Sequence, residues 1–178
     1  FILFVENTHV SEIHEQAQKI QSQNQKVIEM QNNTIIGMAN LVENRDVDTG
    51  EHVKRTSFYV KVLAMEARKT LEYQQILTDR YIELLVKAAP MHDLGKIAVD
   101  DAILRKPGRF TSEKYDQMKA RAAEGTRVVR EILADTDDGE FRRIAENVAR
   151  YHHERWDGSG YPEGLKGEEI PLEARIMA

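Results

Sequence analysis

The sequence predicts an all-α fold, a helical bundle preceded by a long linker helix with coiled-coil character. Three observations carry this prediction. Apolar residues recur at helical spacing, as at Ile82, Leu85, Val86 and Ala89, which fall at i, i+3, i+4 and i+7 and form one stripe. A heptad seam runs through the N-terminal part of the chain. No segment of useful length alternates apolar and polar residues as a strand does, and no internal repeat is present.

The elements follow in order. Phe1-Ile2-Leu3-Phe4-Val5 reads as the end of a membrane span, as the last strand of an upstream sensor domain, or as a small buried patch. Residues from about Thr8 to Leu41 read as one polar helix. Ile13, Ala17, Ile20, Asn24, Val27, Gln31, Thr34, Met38 and Leu41 recur at alternating steps of four and three, a heptad seam. The polar members Asn24, Gln31 and Thr34 weaken the seam but specify its register. That suits a dimeric, signal-transmitting linker; a single amphipathic helix packed on its own domain is the alternative.

A break is expected from Asn44 to Gly50, then a helix from Glu51 to Leu71 with Val53, Phe58, Val60, Val62, Leu63 and Met65 as its apolar surface. The next helix runs from about Thr78 to His92. Pro107-Gly108 marks a turn. Thr111 or Ser112 caps a helix to about Gly125, and a separate helix covers Arg127 to Leu133. Asp135 to Gly139 is a loop, and a last full helix spans about Glu140 to His153. The chain stops at Ala178 just as an apolar segment begins after Pro171, so the expectation is a linker at residues 1–33 and a domain at 34–178 that is truncated at its C-terminus.

Composition narrows the function. The 178 residues are 41% apolar and 31% charged, enough for a real core in a helix-rich domain. A net charge of -5 argues against DNA or RNA as a partner, because affinity for a phosphate backbone comes from clustered Lys and Arg. A small anionic substrate remains open, since bound cations can supply positive charge locally. The absence of cysteine removes disulfides, thiolate metal sites and a cysteine nucleophile together. It agrees with a cytoplasmic domain, tethered or not to the inner membrane by an upstream region.

The chemistry-bearing residues fall into three groups. His92 and Asp93 are adjacent, so a nitrogen and a carboxylate oxygen can reach one ion or bridge two. Alone, such a pair more often caps its helix. Lys96 lies one turn on and can hold a phosphate oxygen. His152 and His153 stand directly before Asp157-Gly158-Ser159-Gly160-Tyr161-Pro162. That turn has glycines for close backbone approach, a proline to fix its exit, and a tyrosine placed to stack or hydrogen-bond. His52 reads alone as a surface histidine, with Asp48 four residues before it. His9 and His14 lie in the linker helix and receive no role.

Taken together, these runs resemble the HD-GYP family, a subgroup of the HD phosphohydrolases, from about Thr34 to Ala178. The resemblance rests on Glu43-Asn44-Arg45-Asp46, Thr49-Gly50-Glu51-His52, His92-Asp93-Leu94-Gly95-Lys96, Lys106-Pro107-Gly108, the run from His152 to Pro162, and Gly164-Leu165-Lys166-Gly167-Glu168-Glu169-Ile170-Pro171. It implies an all-α bundle with a centre of two or three divalent metal ions, iron or manganese. It implies hydrolysis of the bacterial second messenger cyclic di-GMP to pGpG, GMP or both. His52, His92, Asp93, His152 and His153 would be metal ligands, and Asp93 and Lys96 would be catalytic. Lys96 would contact a substrate phosphate, Gly160 and Tyr161 would line the substrate pocket, and Asp48 would bind a third ion. A homodimer through the N-terminal helix, and a diguanylate cyclase or other signalling partner at the Gly-Tyr-Pro loop, complete the expected partners.

Two departures stand out. Where the family has a metal-binding histidine in a Met-Lys-x-His pattern, this chain has Met118-Lys119-Ala120-Arg121. Arginine stays protonated and has no acceptor, so Arg121 cannot bind a metal; a fixed cation there would repel a metal and is expected to take its place against the substrate phosphate. The family's last metal-binding aspartate falls beyond Ala178. Arg121 supports a competing reading, a degenerate domain that binds cyclic di-GMP or a partner protein without cleaving it. A third reading is an HD hydrolase for another nucleotide, such as a different cyclic dinucleotide.

Overall fold

In a computed structural model the described residues are 2–45, 51–104 and 112–178, with side chains described for 11–45, 51–104 and 119–178. They are helical, and no strand occurs among them. The expected turn at Pro107-Gly108, the Thr111 cap and Asp48 lie outside them.

Helix α1 spans Ile2–Glu43. The chain divides into two compact units, residues 1–35 and 36–178. In the first, the seam residues Ile13, Ile20 and Val27 are exposed. No helix among the described residues is long and apolar enough to cross a membrane.

In the second unit, α2 (His52–Ala67) buries Val53, Val60 and Ala64. Phe58, Val62, Leu63 and Met65 of the expected apolar surface are instead exposed. The helix stops short of Leu71, where the Thr70 hydroxyl donates to Ala67 O and competes with the helical ladder. Helix α3 (Asp79–Ala88) is capped by Thr78, whose hydroxyl accepts from Tyr81 N. It ends before His92, because Pro90 has no N–H to continue the ladder; tight turns at Ala89–Met91 and Leu94–Ala98 follow. Then come α4 (Asp101–Leu104) and α5 (Ser112–Ile132). α5 is a single helix, not the two expected. Gly125 does not break it but serves close packing, since a Cβ there would lie 3.3 Å from Gly95 N. Helix α6 (Gly139–Tyr151) begins at Asp138, which accepts from Phe141 N at 3.0 Å. A short turn at Gly167–Glu169 leads to α7 (Leu172–Met177).

Leu77, Leu85, Met91, Val129, Ile144 and Val148 are fully buried and belong to the core of this unit. Glu173 on α7 ties the bundle together. It is buried and accepts from Tyr81 of α3 (2.7 Å), Arg143 (2.6 Å) and Asn147 (2.7 Å) of α6. Burial, and next the Glu173 charge, raise the Tyr81 phenol pKa. The bundle thereby fixes two chain segments face to face, the turn after α3 and the end of α6.

Candidate metal centre

These two segments carry the imidazoles. His92 follows the Ala89–Met91 turn, and its Nδ1 lies 2.9 Å from Ala89 O. His152 caps α6, and its Nδ1 lies 2.8 Å from Val148 O. A carbonyl can only accept, so each Nδ1 carries the hydrogen and each Nε2 is the ligating nitrogen. Both Nε2 atoms face Asp93, His92 at 3.2 Å from Oδ2 and His152 at 3.5 Å from Oδ1. The rings of His92 and His152 are 5.2 Å apart, edge to face. His52, in the first turn of α2, brings its ring to 6.0 Å from that of His92. His153 lies against His152 with ring centres 3.9 Å apart, and stacks on Tyr161 at 4.6 Å and 26°.

Ligand atoms of Asp93, His152 and His153 all lie within 4.8 Å of one another, as do those of Glu43, His92 and Asp93. Burial disfavours charge on Asp93, but the imidazoles of His152 and His92 outweigh it and hold the carboxyl well below its ordinary range. Burial also opposes charge on His92, yet Asp93 prevails and raises its pKa. Burial lowers His152. It brings His153 down to about 2, helped by His152 and then Arg121. The set is an ionised carboxylate among nitrogen donors, the donor chemistry that suits iron, manganese or zinc. Asp93 Oδ1 and His152 Nε2 are buried without a hydrogen-bond partner. Two acceptors facing each other in this way are satisfied by a cation between them, so the residues fit a metal ion.

Lys96 is turned toward carboxylates. Its Nζ lies 2.9 Å from Glu43 Oε1 and 2.9 Å from Asp93 Oδ2. Burial works against its charge, and Asp93 and Glu43 more than restore it. Arg45, just past α1, donates to Lys96 O (2.9 Å), Ile97 O (3.1 Å) and Val99 O (2.8 Å), and pairs with Asp101 at 2.7 Å. The end of α1 thus delivers Glu43 and Arg45 onto the turn that carries Asp93 and Lys96. Glu43 and Arg45 stand in a run already matched to the family, but nothing in their spacing reveals these contacts.

Beside the imidazoles the loop from His152 to Pro162 borders a cavity of about 480 Å³, lined by His152, His153, Trp156, Ser159, Gly160 and Tyr161. A Cβ on Gly160 would lie 2.5 Å from Glu154 Cα, so only glycine fits there. Glu154 is the loop's anchor. It is buried, and its carboxylate accepts from Glu163 N (2.8 Å), Gly164 N (3.1 Å) and Leu165 N (3.0 Å). Sequence reasoning missed it as a site residue; a carboxylate directly after the paired histidines is the signal it left. Arg121 reaches the same region, with Nη2 donating to His153 Nε2 and, at 2.7 Å, to Tyr161 Oη.

The family model for the HD domain matches residues 22–178. A cyclic di-GMP phosphodiesterase of Vibrio cholerae is 43% identical over 81% of this chain and 29% of its own length. The cyclic di-GMP phosphodiesterase response regulator RpfG of Xanthomonas campestris is 35% identical over 90% of this chain and 39% of its own. A 3'3'-cGAMP-specific phosphodiesterase of Vibrio cholerae is 35% identical over 81% of this chain and 25% of its own. The chain therefore spans only about a quarter to two fifths of these relatives. With the His-Asp pair, the paired histidines and the Gly-Tyr-Pro loop gathered at one centre, the chain belongs to the HD domain family, in its HD-GYP subgroup.

Proposed function

We propose that this domain is a metal-dependent phosphodiesterase that hydrolyses cyclic di-GMP to pGpG, GMP or both, as an output module of bacterial second-messenger signalling. The observation that carries the reading is the pair of buried, unpartnered acceptors, Asp93 Oδ1 and His152 Nε2, inside a ring of imidazoles. The names of the relatives support the substrate class.

In this reading His52, His92, Asp93 and His152 hold divalent ions, iron or manganese, with His153 at their edge and Asp48 available for a further ion. Divalent ions held by these residues would supply positive charge to the phosphodiester and make water more acidic. The chain's own residues do the rest. The backbone carbonyls of Ala89 and Val148 fix the imidazole tautomers. Lys96 holds Asp93 in place and adds positive charge on the phosphate side. Gly160 and Tyr161 shape the wall against which the nucleotide lies, and Glu154 keeps that wall rigid. The exposed seam of α1 supports a homodimer through that helix, and the domain is read as cytoplasmic.

Arg121, bound to His153, is the feature behind the competing reading of a cyclic di-GMP binder without catalysis, which the names of the relatives do not favour. A product-resolved assay decides between them. The protein is reconstituted with iron(II) or manganese(II) without oxygen and given cyclic di-GMP and 3'3'-cGAMP in parallel. Turnover of cyclic di-GMP to pGpG or GMP at the higher rate is expected. Faster turnover of 3'3'-cGAMP would reassign the substrate. No turnover by metal-loaded, folded protein would leave the binding reading.

A further inference from the structure

Arg121 is built into the centre rather than placed at its rim. The backbone of α5 at this residue meets the turn that carries Lys96 so closely that a Cβ on Gly95 would overlap Arg121 O and lie 2.8 Å from Gly125 N. The side chain starts from this fixed point. Its Nη2 donates to His153 Nε2 and to Tyr161 Oη, and its guanidinium carbon stands 5.9 Å from the Tyr161 ring centre. Its Nε is buried without a partner. A ring nitrogen has one lone pair, so His153 Nε2 cannot accept from Arg121 and bind a metal ion at once.

Charge points the same way. Asp93, Glu43 and Lys96 together carry one net negative charge, which the guanidinium cancels. A second divalent ion on the His153 side would sit against a fixed cation in a poorly solvated place.

We propose that Arg121 takes the place of one metal ion in this centre, its guanidinium holding His153 and Tyr161 and facing a phosphoryl oxygen of the substrate. The proposal rests on the phosphodiesterase reading above. A planar guanidinium offers paired donors that match phosphate oxygens, which a single imidazole does not. His153 is then a positioning residue for Arg121 rather than a ligand.

The test is metal content, measured by elemental analysis on the whole chain loaded with manganese(II). Arg121→His is expected to bind one more ion per chain than the parent. Equal ion counts would overturn the proposal. If Arg121→His fails to fold, His153→Ala serves instead. It should keep the parent's ion count, and the loss of one ion would overturn the proposal. For the phosphate role, inorganic phosphate is titrated into the manganese-loaded protein by calorimetry. Arg121→Gln should weaken binding roughly tenfold or more, the effect of losing a charged hydrogen bond. Unchanged phosphate affinity would remove that half of the claim. Ion counts as expected in a protein that turns over no cyclic dinucleotide would refute the phosphodiesterase reading while leaving the ion substitution standing.

Discussion

Lys96 and Glu43 form a buried ion pair. Nζ and Oε1 are 2.9 Å apart, and the two side chains are 8% and 3% exposed. Removing Glu43 takes one of two carboxylate partners from Lys96, and Asp93 still pairs with it, so the cost is that of one charged hydrogen bond, about 1.5–3 kcal/mol. Glu43→Ala should therefore destabilise the domain by that amount in urea denaturation. Glu43→Gln, which keeps an acceptor for Lys96, should cost clearly less. Equal losses in the two variants would mean that the pair is held by packing alone.

The close approach of α5 to the Lys96 turn predicts opposite outcomes at two glycines. Gly95→Ala forces its new Cβ into backbone atoms of Arg121 and Gly125. Its melting temperature should fall sharply, and its metal content with it. Gly37→Ala meets nothing within 4 Å in the interior of α1. It should stabilise by about 0.5 to 1 kcal/mol through lower backbone entropy in the unfolded chain.

Glu154 predicts the rigidity of the Gly-Tyr-Pro loop. In Glu154→Gln the side-chain NH2 replaces one accepting oxygen and faces backbone N–H groups. The expected cost is about 1–3 kcal/mol. Hydrogen exchange should show faster exchange at Glu163, Gly164 and Leu165 while α3 keeps its protection. Unchanged exchange at those three amides would exclude the anchoring role.

The α6 cap gives a pH dependence. The backbone bond from Phe141 comes first and Arg80 assists, together lowering the Asp138 pKa below the ordinary aspartate value of 3.8. The folded chain then binds this proton less readily than the unfolded one, so the cap's contribution is complete above that value and is lost as pH falls through the lower folded value. Asp138→Ala should cost about 1 kcal/mol at neutral pH, and the gap between parent and variant should close in acid. A gap that stays constant across this range would rule out the charged cap.

Much of the fold and the site was legible before any coordinates. The α3 stripe and its start near Thr78 are local patterns, and the imidazole and carboxylate types with their motif spacing are local too. What escaped was long-range. Gly125 reads as a helix breaker in sequence, yet it is the point where α5 touches Gly95. Glu43 meets Lys96 across 53 residues, and only the packed bundle brings them together. The apolar face expected on α2 held at Val53 and Val60 and failed elsewhere for the same reason: its neighbours bury these two with Ala64 and leave Phe58, Val62, Leu63 and Met65 outside.

The central claim is that a metal ion at Asp93 drives phosphodiester hydrolysis. The most direct measurement compares cyclic di-GMP turnover and metal content in the parent and in Asp93→Ala, loaded identically with iron(II) or manganese(II). The account predicts turnover by the parent, and loss of both turnover and bound metal in the variant. Hydrolysis that survives in metal-depleted Asp93→Ala would contradict it.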